Sequence, residues 1–246
     1  MVLTRTVAFA LVLASCRGST KASAPAPSAE VAMDAEPPSV LRTAACIGPK
    51  DATSFAVYLH GMDGATASPQ EMANREVLAA LARKLSVRFA LPRSSMACPT
   101  QPGSICWGWS FDDAELAAAA SVVRAGARAC FGDGPVTLVG FSNGGYLLNK
   151  LIRSCSLKSH VPEAVRAITV GAGVFHGPLE PSPESLTGCG ELTMLVGDED
   201  EHNFDPSGNL LRQLRAKHAN VREVRYHGGH LLNEAALGDA LSARRP

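Results

Sequence analysis

An α/β architecture, with a mostly parallel sheet buried between helices, is predicted by three features of the sequence. Short apolar runs take turns along the chain with segments of helical period. Those runs are nearly continuous in apolar residues instead of alternating, as strands covered on both faces are. Glycine-rich turns follow several of them, at the strand ends where open α/β sheets place their sites.

The expected strands are "SFAVYLHG" at 54–61, "VRFALP" at 87–92, "PVTLVGF" at 135–141, "VRAITVGAG" at 165–173, "ELTMLVG" at 191–197 and "NVREVRYH" at 220–227. After the first, Ser68-Pro69-Gln70-Glu71 reads as a capping box with proline at the first helical position. Met72, Val77, Leu78, Leu81 and Leu85 supply the apolar face of that helix. A long loop to about Phe111 precedes an alanine-rich helix, capped by Asp112-Asp113-Ala114-Glu115 and reaching Cys130. Further helices are expected from Asn143 to about Ser154, from Asp205-Pro206 to about His218, and from Asn233 onward.

The chain has 246 residues, 46% apolar and 19% charged, which fits one ordinary domain with accessory segments. Its formal charge is zero, so a nucleic-acid partner, which needs a basic excess, is not expected. The opening "MVLTRTVAFALVLASC" joins an arginine to an apolar run too short to span a bilayer comfortably, the form of a secretory signal. Its end, Leu13-Ala14-Ser15-Cys16, resembles the lipobox of bacterial lipoproteins. The resemblance implies removal of residues 1–15, a diacylglycerol on the Cys16 thiol and a lipid anchor in the cell envelope. Arg17, where an aspartate would retain the chain, leans toward the outer membrane. Residues 16–44, rich in Ala, Ser and Pro, read as a disordered tether, which leaves 45–246 as the folded domain.

Six cysteines remain beyond Cys16, an even number that in an exported chain argues for disulfides. Cys98 and Cys106 would close a short loop. Cys130 and Cys155 each end a predicted helix, and Cys46 and Cys189 would then pair. No CxxC pair and no Cys/His cluster asks for a metal.

Chemistry-bearing residues collect at the strand ends: His60-Gly61-Met62-Asp63-Gly64, Gly140-Phe141-Ser142-Asn143-Gly144, Gly197-Asp198-Glu199-Asp200 and His227-Gly228-Gly229-His230. A glycine-rich strand-to-helix turn can cradle a phosphate or present a nucleophile. The phosphate motifs GxxxxGK[ST] and GxGxxG are both missing, whereas GxSxG is present. Serine, acid and histidine sit in that chain order at strand ends, so Ser142 is the candidate nucleophile, Asp198 or Asp200 the acid and His227 or His230 the base.

With "LHGMDG", "CWGWSF", "GFSNGG", "GDED" and "GGH", residues 45 to 243 resemble an α/β-hydrolase. The similarity is to esterases of the carboxylesterase/phospholipase group and of the poly-hydroxyalkanoate depolymerase and feruloyl-esterase group. In the latter a Cys-Trp-x-Trp-Phe segment occupies the loop that here holds Cys106 to Phe111, with Ser110 interrupting the pattern. The resemblance selects Asp200 and His230 for the triad with Ser142, and places the oxyanion donors at the amides of Asn143 and Met62. Trp107 and Trp109 are expected either to wall the substrate or to pack beneath the loop. His60 is expected to shape the oxyanion turn, and His176 and Tyr146 to be structural. The short segment from about Val174 to Gly190 implies a compact, lidless domain. The expected activity is cleavage of a carboxylic ester through an acyl-enzyme, with no cofactor and no metal. A peptidase or acyltransferase on the same fold is the alternative, as is a surface lipoprotein that kept the fold without catalysis.

Overall fold

A computed structural model describes residues 44–64, 66–173 and 184–243. The signal segment, Cys16, His176 and most of the segment expected to lack a lid lie outside the described residues. In chain order the elements are β1 (Ala45–Ile47), β2 (Ser54–Leu59), β3 (Asp63–Gly64), α1 (Pro69–Leu85), β4 (Val87–Leu91), β5 (Ser104–Ile105), α2 (Asp113–Phe131), β6 (Val136–Phe141), α3 (Asn143–Arg153), α4 (Leu157–His160), β7 (Ala164–Val170), β8 (Glu191–Gly197), α5 (Phe204–Ala216), β9 (Asn220–Tyr226) and α6 (Glu234–Ser242).

Seven strands form one sheet in the order β1-β4-β2-β6-β7-β8-β9. Every pairing is parallel except β1 with β4. The apolar runs are continuous because both faces are covered. Val57 and Leu59 of β2 and Leu192, Met194 and Val196 of β8 pack with α2, α3 and α5. Ala56 and Tyr58 of β2 and Val139 and Phe141 of β6 pack with α1 and α6 on the other face. β9, an edge strand, carries Arg222, Glu223 and Arg225 and is only partly buried, which discourages pairing with another chain.

Three features depart from the sequence expectations. β1 is an added antiparallel strand at the domain's start, and β3 and β5 form a two-stranded sheet within the loops. The capping box is half made. Ser68 Oγ accepts from Glu71 N at 3.2 Å, but Ser68 N donates to Asp63 Oδ1, and the Glu71 carboxylate turns inward to Tyr58 Oη and Arg75 Nε. The disulfides are Cys46–Cys130 and Cys155–Cys189, not Cys130–Cys155 and Cys46–Cys189. The cause is β1, which lies on β4 and carries Cys46 to the end of α2. The expected Cys98–Cys106 bridge is not formed either: both are buried free thiols.

Candidate active site

Ser142 sits where β6 ends and α3 begins, with φ 49° and ψ −117°. A side chain in this part of backbone space is strained, and a packed surrounding must hold it there. Two glycines make the turn possible. A Cβ on Gly140 would lie 2.5 Å from the Gly144 carbonyl oxygen, and one on Gly144 would lie 2.4 Å from the Leu59 carbonyl oxygen. No side chain caps α3; of its first N–H groups, that of Gly144 is taken by the His60 carbonyl. Ser142 itself is half-buried and reaches solvent.

Two Asp–His pairs lie beyond β8 and β9. His230 Nδ1 meets Asp200 Oδ2 at 2.7 Å, and Asp200 is 3% exposed. His227 Nδ1 lies 3.2 Å from Asp198 Oδ1, but both side chains are more than half exposed, at 81% and 51%. The structure thus brings half-buried His230 onto buried Asp200 and sorts Asp198 and His227 to the surface. Burial pushes the Asp200 carboxyl up, but hydrogen bonds from His230 and Asn203, with the charge of His230, outweigh it and leave the group below the usual range. The His230 imidazole packs on the Phe141 ring, with centroids 4.8 Å apart, and beside Gly171, where a Cβ would come within 2.7 Å of it. The backbone around it is tied to α1: Gln70 Nε2 donates to the His230 carbonyl at 2.8 Å, and Leu232 N donates to Asn74 Oδ1 at 3.0 Å.

On the far side of Ser142, the turn after β2 carries Met62. Among the described residues, the amides of Met62 and Asn143 are not spent on other backbone carbonyls. The segments that carry them are tied together through the loop of Trp107. Trp107 N donates to Asn143 Oδ1 at 2.7 Å, and Asn143 Nδ2 donates to the Gly108 carbonyl. The Trp107 indole donates to the His60 carbonyl at 3.0 Å, which also accepts Gly144 N at 3.2 Å. Trp107 has no exposed surface, so it braces this loop and does not wall a substrate, a correction to that expectation. Trp109 is partly exposed, and its amide is held by Glu115 Oε2 at 2.8 Å.

His60 is buried and both ring nitrogens are engaged: Nδ1 donates to the Gly61 carbonyl and Nε2 accepts Ser94 N. Burial lowers its pKa to about 4, so the ring stays neutral and cannot shuttle protons near neutrality. The exposed large apolar side chains among the described residues are Met62, Met72 and Leu231. Met62 lies in the turn after β2, and Leu231 follows His230 directly. Sequence reading missed Gln70, Asn74 and Asn203. Of these, only Asn74 carried a signal, as a polar residue on the buried side of an amphipathic helix. Among the described residues no cluster of three or more His, Cys, Asp or Glu could hold a metal.

No protein-family model matches the chain, and no curated protein matches it in sequence. Solved structures do. Esterase PE8 is 21% identical, with a TM-score of 0.53 over 81% of this chain and 96% of that one. A Bacillus cereus carboxylesterase is 16% identical, with a TM-score of 0.55 over 80% and 90%. Zea mays acyl-protein thioesterase 2 is 15% identical, with a TM-score of 0.56 over 80% and 95%. The chain has the α/β-hydrolase fold. In a hydrolase fold the strand ends that carry Ser142, Asp200 and His230 are where the variable chemistry is built.

Proposed function

We propose that this protein is a serine hydrolase of carboxylic esters. The observation that carries the reading is the strained backbone of Ser142, held between two obligatory glycines at a strand-to-helix turn. A pair made of buried Asp200 and half-buried His230, at neighbouring strand ends, supports it. Ser142 Oγ attacks the ester carbonyl while His230 takes its proton, and His230 then gives that proton to the departing alcohol. The acyl group stays on Ser142 until water, activated by the same imidazole, releases the acid. Asp200 holds the imidazole orientation and stabilises its charged form. The amides of Met62 and Asn143 receive the oxyanion, and each donor is worth on the order of 3 kcal/mol in the transition state. Trp109, Met62 and Leu231 supply apolar contacts for the acyl or alcohol part.

The names of the structural neighbours, esterases and a thioesterase, agree with acyl transfer to water. The protein is further proposed to be exported and anchored through Cys16. Two disulfides fit an oxidising compartment, and no helix among the described residues is long and apolar enough to cross a membrane. Turnover of a short p-nitrophenyl acyl ester, lost in Ser142→Ala, tests the activity. Fluorophosphonate labelling of Ser142 without ester turnover would move the reading to a peptidase or acyltransferase.

A further inference from the structure

Asp200 is buried and accepts from more than its histidine. Asn203, three residues on and 8% exposed, donates from Nδ2 to Asp200 Oδ1 at 3.0 Å and Oδ2 at 3.2 Å, and that nitrogen lies 3.2 Å from His230 Nδ1. The other end of the amide is also fixed. Tyr146 Oη donates to Asn203 Oδ1 at 2.8 Å, so the carbonyl faces the phenol and the NH2 faces the carboxylate. Tyr146 stands on α3, and its amide donates to the Ser142 carbonyl at 2.9 Å. Hydrogen bonds from the two ends of Tyr146, its amide and its phenol, therefore link the nucleophile's own turn to Asn203, and Asn203 to the acid and the base.

We infer that Asn203, oriented by Tyr146, is a positioning residue that keeps Asp200 ionised and aims its Oδ2 at His230. This rests on the ester-hydrolase reading for its catalytic meaning. The physics is that of a buried carboxylate: each donor aimed at it favours the charged form, and without donors burial favours the neutral one. A neutral Asp200 would not stabilise an imidazolium. The groups that face Asp200 are His230, Asn203, Tyr146 and Tyr226. The two phenols are pushed up by burial and by the Asp200 charge, so both remain neutral donors. Asp200 thus meets one titrating partner, His230, and its ionisation depends on the neutral donor Asn203.

The test is Asn203→Leu, which keeps approximate bulk and removes the donors, with Tyr146→Phe as a milder variant that leaves Asn203 in place. The first readout is the pH titration of the Asp200 side-chain carboxyl, followed by 13C NMR. A hydrogen bond to a charged group is worth roughly 1.5–3 kcal/mol, so the midpoint should rise by about one to two pH units in Asn203→Leu and by less in Tyr146→Phe. The second readout is kcat, which should fall on the order of 10- to 100-fold in Asn203→Leu with KM within about twofold. A purely structural role would lower Tm and leave the titration where it was. An unchanged Asp200 midpoint in either folded variant overturns the inference. The titration needs no turnover, so it is decided independently of the ester-hydrolase reading.

Discussion

Trp107→Phe removes the indole N–H that donates to the His60 carbonyl and leaves the backbone bond from Trp107 N to Asn143 Oδ1 in place. The His60 carbonyl is not orphaned, because Gly144 N still donates to it at 3.2 Å. The lost bond therefore costs about 1 kcal/mol, the low end of the range for buried polar groups. Phenylalanine is smaller by roughly 40 Å3, and a void of that size costs about 1 kcal/mol at ~24 cal/mol per Å3. The sum, about 2 kcal/mol, lowers Tm by roughly 4–8 °C for a domain of this size. The effect on rate has a separate origin. Trp107 holds the His60 carbonyl, one peptide before that of Met62, and the Asn143 side chain, so it steadies both segments that carry the proposed oxyanion donors, and losing one donor outright costs about 100- to 1,000-fold. Loosening the clasp without losing a donor should lower kcat by about tenfold, with KM little changed, since the interaction matters only in the transition state. The assay pairs p-nitrophenyl ester kinetics with thermal unfolding. A Tm drop of the expected size with wild-type kcat would show that Trp107 only packs.

His60 is neutral in the folded protein at about pH 4 and above, whereas in the unfolded chain it titrates near 6.5, so the unfolded state binds the extra proton between those values. Its contribution of about 3 kcal/mol is complete above pH 6.5 and is lost as pH falls toward 4, which urea midpoints across that range should reveal as a slope that His60→Gln flattens. Gly171→Ala puts a Cβ within 2.7 Å of the His230 ring at φ +56°, so kcat should fall by at least about tenfold. Gly132→Ala, also at positive φ (+77°) but with nothing within 4 Å, should keep wild-type kcat, so equal loss in the two would remove His230 from the explanation. Non-reducing peptide mapping should link Cys46 to Cys130 and Cys155 to Cys189. Replacing the first pair with serine should cost about 4–5 kcal/mol, because that bond closes a loop spanning 84 residues.

The sheet was legible because its strands are buried on both faces, and that leaves continuous apolar runs such as "TLVG" and "LTMLV" in the sequence. Ser142 was legible because Gly140 and Gly144 have no room for a Cβ, a local constraint that any GxSxG turn carries. What escaped depends on contacts between distant segments. β1 is three residues long and mostly exposed, so nothing in "ACI" announces a strand, and the disulfide pairing it dictates was misread with it. Trp107 could wall a substrate or pack beneath its loop, and the sequence leaves both open. Its burial is decided by His60 and Asn143, which lie 47 and 36 residues away. Asn203 reads as an ordinary helix-start residue until Tyr146, 57 residues earlier, is placed against it. Asp198 and Asp200 are alike in sequence, and only the fold buries one and exposes the other.

The most direct test of the central claim is intact and peptide mass spectrometry of the protein quenched during turnover of p-nitrophenyl acetate. The account predicts an acetyl adduct on the peptide containing Ser142, with neither adduct nor turnover above background in Ser142→Ala. Equal turnover in the two proteins, or an adduct on any other residue that persists in Ser142→Ala, would contradict it.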